Sequence, residues 1–359
     1  MRYIGNKETI IETIYNILKS NNVVGETFFD FFSGTTNVAR FYKDLGYSVC
    51  SSDFMYVSYC LQKAYIENNN EPSFKNLLPH ILHSETSDRL FATPLEVVVS
   101  FLNQIPDVKG FIYTNYTPGG TAHLNKPRMY FSNENGLRID AIRQQIEKWH
   151  NAGLLLESEY YILLTCLIET VSFYANVAGV YAAFHKKWDP RAIKRLNLRM
   201  INIHDNKKRN TVYNTNSLDL LDNIDTDILY LDPPYNERQY LSNYHLLETI
   251  AKYDSPKIKG ITGMREYEGK KSTFCNAKTA LRDLELIIKT AKYKHLVMSY
   301  NSEGIMKQDD IIKMMSKYGI IKLEQFQYAR FKSNNNGLSK TKKHVYEQLY
   351  ILSKINDSK

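Results

Sequence analysis

A short apolar run that must stop at two prolines constrains this chain more than any other feature. Asp227-Ile-Leu-Tyr-Leu231 reads as a buried strand, and Asp232-Pro233-Pro234-Tyr235 follows it directly. Neither proline can donate to a sheet ladder or enter a helix interior, so the chain has to leave the strand as a stiff, exposed turn. The turn carries an acid, backbone carbonyls with no competing N–H on either proline, and an aromatic ring. That set suits a flat heterocycle with an exocyclic amino group. Taken alone, the tetrapeptide reads equally well as a strand-ending acid before a proline turn.

The rest of the sequence supplies the context. Ile11, Ile14, Tyr15 and Leu18 repeat at helical spacing after Lys7, and Asn21-Asn22 closes that helix. Thr27 to Phe32 reads as a strand, Ser33-Gly34-Thr35-Thr36 as a turn, and Val38, Phe41, Tyr42 and Leu45 as a helix stopped by Gly46. Tyr47 to Asp53 is a second strand ending in an acid. This is the opening of a doubly wound α/β domain, with backbone N–H groups at the turn and Asp53 where nucleotide-binding folds place an acid on ribose hydroxyls. As single features, Asp30 and Asp53 read equally well as capping or loop acids.

Residues 57–70 read as a helix, and Thr93-Pro-Leu-Glu96 as a capped helix start. Phe111 to Tyr116 is expected as a strand. The alternation resumes near Thr211, with helices over 242–253, 276–293 and 307–318, a strand over 295–300, and two alternating strands over 320–331 and 344–352. The last two suggest an antiparallel hairpin at a sheet edge. The expected fold is therefore α/β, a doubly wound Rossmann-like sheet with an antiparallel edge hairpin. Residues 1–75 and 211–359 are expected to build it and 76–210 to interrupt it, with 155–190 free to pack on either part.

A chain of 359 residues, 43% hydrophobic, has ample material for about two domains. Its net charge of +8 favours a polyanionic partner. The most basic stretch holds Lys186, Lys187, Arg191 and Lys194, interleaved with His185 and Trp188. The four cysteines form no C-x-x-C pair, so neither a zinc site nor a disulfide framework is expected, and a reducing cytoplasm fits. Arg2, Lys7 and Glu8 argue against a signal peptide. The apolar 160–184 stretch contains Glu169 and Asn176 and reads as a buried helix, not a membrane span.

Four segments, in order, resemble the adenine-specific DNA methyltransferases of restriction–modification systems, in the branch of the Dam-like enzymes and the FokI modification methylase. Tyr3-Ile-Gly-Asn-Lys7 resembles the N-terminal cofactor motif, Asp30-Phe-Phe-Ser-Gly34 the Asp-x-Phe-x-Gly motif, Asp53 the acid after the second strand, and Asp232–Tyr235 the catalytic motif. Arg128-Met-Tyr-Phe131, Asn236-Glu-Arg-Gln-Tyr240 and Ser299-Tyr-Asn-Ser-Glu-Gly304 extend the FokI-like likeness over most of the chain. Two departures stand out. Thr36 occupies the place of a second glycine, so either the turn differs or Thr36 lies in the helix's first turn. Asn216-Ser217 stands where relatives place an acid near the cofactor adenine.

The resemblance implies S-adenosylmethionine as methyl donor and the amino group of a flipped-out adenine in double-stranded DNA as acceptor. It implies Asp232, Pro233, Pro234 and Tyr235 at the catalytic centre. Tyr3, Lys7, Asp30, Phe32, Ser33, Gly34, Asp53, Asn216 and Asp232 would lie around the cofactor, with Lys7 beside its carboxylate. Arg128, Lys186, Lys187, Arg191, Lys194, Arg238 and Tyr240 are the expected DNA contacts, and Tyr240, Tyr300 and Phe331 the candidates for a second ring on the flipped base. No metal is implied. A cognate restriction endonuclease and a second-strand methylase are the implied functional partners. An RNA adenine methyltransferase and a catalytically silent DNA-binding subunit of the same fold are the alternatives.

Overall fold

The computed structural model describes residues 5–81, 92–267, 271–329 and 344–354. Among them, nine strands run in chain order: β1 Thr27–Asp30, β2 Ser48–Ser52, β3 Thr211–Tyr213, β4 Asp225–Leu231, β5 Ile258–Lys259, β6 Met264–Arg265, β7 Lys292–Asn301, β8 Ile320–Ala329 and β9 His344–Ser353. Two compact units emerge. One comprises Ile4–Gln62, Asn206–Leu241 and Tyr267–Lys359; the other comprises Lys63–Asp205 and Ser242–Glu266.

The first unit holds a seven-stranded sheet of order β3-β2-β1-β4-β7-β9-β8. β3, β2, β1, β4 and β7 run parallel to one another, and β9 pairs antiparallel with both β7 and β8. The expected α/β sheet with its antiparallel hairpin is thus present. The chain steps outward from β1 to β2 and β3, then crosses back to place β4 on the other side of β1. That reversal makes a crevice at the carboxyl ends of β1 and β4, where open α/β sheets bind ligands.

Helices cover both faces, so central strands read as continuous apolar runs. Residues 228–231 of β4 are all buried. On one face Phe29, Leu229, Leu231, Leu296 and Met298 pack against Leu284 and Ile288 of helix Ala277–Thr290 and Ile311 and Met315 of helix Gln308–Met315. Tyr42 of helix Asn37–Asp44 stacks on Phe28 with ring centroids 3.7 Å apart.

The second unit is mainly helical. Its longest helices, Asn133–Asn151 and Glu157–Tyr174, pack together. The second of these is buried along nearly its whole length, and among the described residues no helix is long and apolar enough to cross a membrane.

Three expectations need correction. The sheet is interrupted from Lys63 rather than residue 76, and 242–266 also belongs to the helical unit. Phe111–Tyr116 is a short helix, not a strand. Its β-prone residues are overruled by Asp140, whose carboxylate accepts from the N–H groups of Gly110, Ile112 and Tyr113 at 3.0, 2.9 and 2.8 Å. Those are the donors a helix start leaves unpaired. Finally, the 57–70 helix is α-helical only to Gln62 and continues as a π-helix over Lys63–Glu67.

Candidate active site

The site is built at the β1/β4 crevice of the sheet unit. Phe31 N donates to Tyr230 O, which carries the β1–β4 pairing one residue past the strand. Ser217 Oγ donates to Phe31 O at 2.7 Å from beneath the turn. Asp30 therefore ends β1 beside Asp232, which follows β4.

The turn after β1 holds two residues of positive φ, Gly34 at 50° and Thr36 at 64°. Thr36 precedes the helix as its N-cap in the left-handed region, fully buried, with its Oγ1 donating to Thr35 O. Thr36 takes a left-handed conformation open to glycine and lies just outside the helix, not in its first turn. A β-branched residue takes the glycine conformation at a cost of about 1–3 kcal/mol. Gly34 N donates to Asp53 Oδ2 at 3.0 Å, and Met55 N to Asp53 Oδ1 at 2.8 Å. These bonds lock the Asp53 carboxylate at the end of β2. Phe32 is half-buried against Phe274, with centroids 5.1 Å apart. Asn216 is exposed, and its side-chain oxygen caps Leu218 N.

Lys7 is held just before helix Ile11–Ser20. Asn37 donates to the side chain of the preceding Asn6, and Ile10 N donates to Lys7 O. Its side chain is 6% exposed, and its ammonium lies 3.1 Å from Asp232 Oδ1 and 2.9 Å from Glu347 Oε1. The expected partner for Lys7 was a cofactor carboxylate; the structure gives it two carboxylates of its own. Burial works against its charge, but Asp232 and Glu347 outweigh that and hold the ammonium well above its usual range.

Burial pushes Asp232 up to about 6, with Lys7 opposing and Glu347 adding to the rise. Burial likewise pushes Asp30 up to about 7, and the charge of Asp232 adds to it. Each acid binds its proton more tightly folded than unfolded. Their support for folding is complete below the ordinary carboxylate range and is lost as pH climbs through about 6 and about 7. The melting temperature is expected to fall from about pH 5 to about pH 8, and Asp30→Asn to flatten that fall. Calorimetric scans across this range check it.

The turn at Asp232 differs from expectation in exposure. Pro233 and Pro234 are buried, while Asp232 and Tyr235 stay half-buried. Tyr235 O accepts from Ile305 N. A Cβ on Gly5 would lie 3.3 Å from Tyr240 Oη and 4.0 Å from the Tyr235 ring, so Gly5, Tyr235 and Tyr240 gather at one place. Tyr300 is corrected as a stacking candidate, because it is buried in the core with its hydroxyl on Met306 N. Tyr3 and Phe331 lie outside the described residues.

Two site residues were missed. Glu347, fully buried on β9, was signalled by a carboxylate at an inward position of an alternating strand. Tyr328 on β8 is half-buried, accepts from Asn301 Nδ2 at 3.1 Å, and feels the charges of Glu347 and Lys7.

The expected DNA contacts divide. In the helical unit, Lys186, Lys187 and Lys194 are exposed, and Arg191 is partly exposed but forked onto Asp189. Arg238 of the sheet unit is exposed. Arg128 is a correction. It is 7% exposed, and its guanidinium donates to the carbonyls of Ile261, Asn115 and Gly260 at 3.0, 2.9 and 3.0 Å. Arg128→Ala is expected to destabilise by about 1–3 kcal/mol through the carbonyls it strands, while the folded fraction keeps its DNA affinity. Urea unfolding beside a DNA-binding titration separates the two effects.

A crevice with acids at the ends of β1, β2 and β4 suits a ligand that brings hydroxyls and positive charge. The sequence model of the D12 class N6 adenine-specific DNA methyltransferases matches residues 3–314. The chain belongs to this family. It is 37% identical to the modification methylase StsI of Streptococcus sanguinis and 37% identical to the type II methyltransferase M.FokI of Planomicrobium okeanokoites, each over 99% of this chain. It spans about half the length of those two relatives, 52% and 53%. It is 36% identical to the type II methyltransferase M.NlaIII of Neisseria lactamica over 99% of both chains.

Proposed function

We propose that the chain is a site-specific DNA methyltransferase that methylates the exocyclic amino group of adenine in a short duplex site, using S-adenosylmethionine. The observation that carries this is the placement of Asp232 at the reversal of the sheet, on a buried ammonium and beside Asp30, in a chain of this family.

The residues fit the cofactor. When bound, it supplies an electrophilic methyl on a cationic sulfonium. Asp53 would accept from its ribose hydroxyls, and Asp30 and Asp232 supply negative charge to its cationic part. Gly34, Phe32, Ser33 and Asn216 would line its adenosine side. Tyr3 is included on the family's pattern alone.

An adenine amino nitrogen is a poor nucleophile because its lone pair is delocalised into the ring. Asp232 and the Pro233 carbonyl would accept both amino hydrogens and stabilise the positive charge that develops on nitrogen. Orientation supplies much of the remaining acceleration. The charged nitrogen then sheds a proton to Asp232, and the N–H electron pair returns to nitrogen. The target base must leave the duplex to reach this crevice, and Tyr235 would stack on it, worth about 1–3 kcal/mol. Tyr240 is the favoured second ring.

The helical unit would read the site, with Lys186, Lys187 and Lys194 on phosphates. Exposed Arg238 would make a further contact. On this reading the enzyme protects DNA from a cognate restriction endonuclease. If the site is asymmetric, a second methylase serves the other strand.

The test is transfer of labelled methyl from S-adenosylmethionine to unmethylated DNA, followed by digestion to nucleosides. Label on N6-methyladenine is expected. Label on cytosine, or on RNA alone, overturns the reading, as does DNA binding without cofactor binding.

A further inference from the structure

Glu347 has no role in the chemistry so far. It is fully buried on β9, opposite Asn301 of β7 in the sheet register. One oxygen, Oε1, takes both the Lys7 ammonium at 2.9 Å and the hydroxyl of Ser299. The other, Oε2, has no hydrogen-bond partner among the described residues. A half-satisfied buried carboxylate is an expensive way to join strands, and an apolar side chain of similar volume would commonly do it at no loss. What an apolar residue cannot do is act on the charge and position of Lys7.

We propose that Glu347 is a positioning residue for Asp232, acting through Lys7. Without Glu347, Lys7 would pair with Asp232 alone and neutralise it. With Glu347, the single ammonium is shared by two carboxylates. Lys7 stays fixed against Asp232 Oδ1, yet Asp232 keeps enough negative field to hold amino hydrogens and to take up a proton. Glu347 raises the Asp232 carboxyl, in the direction of a better proton acceptor near neutral pH. The groups acting on Asp232 are Lys7 before the first helix, Glu347 on β9, Asp30 on β1 and Tyr230 on β4. Glu347 in turn faces Lys7, Ser299, Tyr230 and Tyr328.

This inference rests on the methyltransferase reading, and the experiment separates the two. Labelled-methyl transfer by the wild-type chain tests the reading, and its absence overturns both. Given transfer, Glu347→Gln, which keeps the shape, is expected to lower kcat by about 100-fold, the scale of a small misplacement of a reacting group. KM for DNA should hold. The acid limb of the kcat–pH profile should move to lower pH, because Asp232 loses the neighbour that raises it. Combined with Lys7→Gln, the losses should not add, since one acts through the other. Should Glu347→Gln fail to fold, Ser299→Ala keeps every charge but releases Glu347 and should lower kcat several-fold. Wild-type kcat and pH profile in Glu347→Gln, additive losses in the double variant, or unchanged kcat in Ser299→Ala overturns the proposal.

Discussion

Asp232→Ala is expected to lower single-turnover methyl transfer by at least about 100- to 1000-fold, the range for removing one preorganised group from a developing charge. Affinity for S-adenosylmethionine should fall far less. Asp53 stays locked by Gly34 and Met55, and Lys7 keeps Glu347 as a partner, so the crevice survives the loss. Quenched-flow transfer beside a calorimetric titration checks both halves. A variant that turns over like the wild type would remove Asp232 from the chemistry.

Lys7→Met is expected to have the largest effect on stability. It leaves Asp232 and Glu347 without their shared cation, with Asp30 adding a third acid nearby. Breaking a buried pair in this way costs about 3–5 kcal/mol. The deficit has a sign in pH. Without Lys7 the Asp232 carboxyl rises further, binds a proton in the folded state, and recovers part of the loss as pH falls. Urea midpoints at about pH 8 and about pH 5.5 should therefore converge on the wild type at the acid end. An equal deficit at both would mean that Lys7 contributes by packing and not by charge.

Much of this was legible in the residues. The strand–turn–helix–strand opening, the stop at Pro233 and the final hairpin each follow from local rules of period and backbone chemistry. What stayed hidden depends on contacts distant in sequence. Phe111–Tyr116 looks like a strand until Asp140 caps it from another helix. Arg128 looks like a DNA contact until three carbonyls surround it. Residues 242–266 join the helical unit although no change of composition marks where they leave the sheet unit. Glu347 was visible as an oddity of alternation, but its partner lies near the other end of the chain. Thr36 shows the limit of a propensity rule, since the turn imposes its φ whatever the side chain.

The insertion of β9 between β7 and β8 also bears on the order in which the site assembles. The strand that carries Glu347 is the last of the sheet in sequence, yet it occupies an interior position. Until it docks, β7 and β8 present open edges, and Lys7 has only Asp232 to hold it. The contact between Lys7 and Glu347 joins segments far apart in sequence, and such contacts form slowly because the chain must close a long loop first. The charge set around Asp232 is thus tied to the completion of folding: a partly folded chain that already has its cofactor crevice still lacks the balance of charges in which the acid is poised.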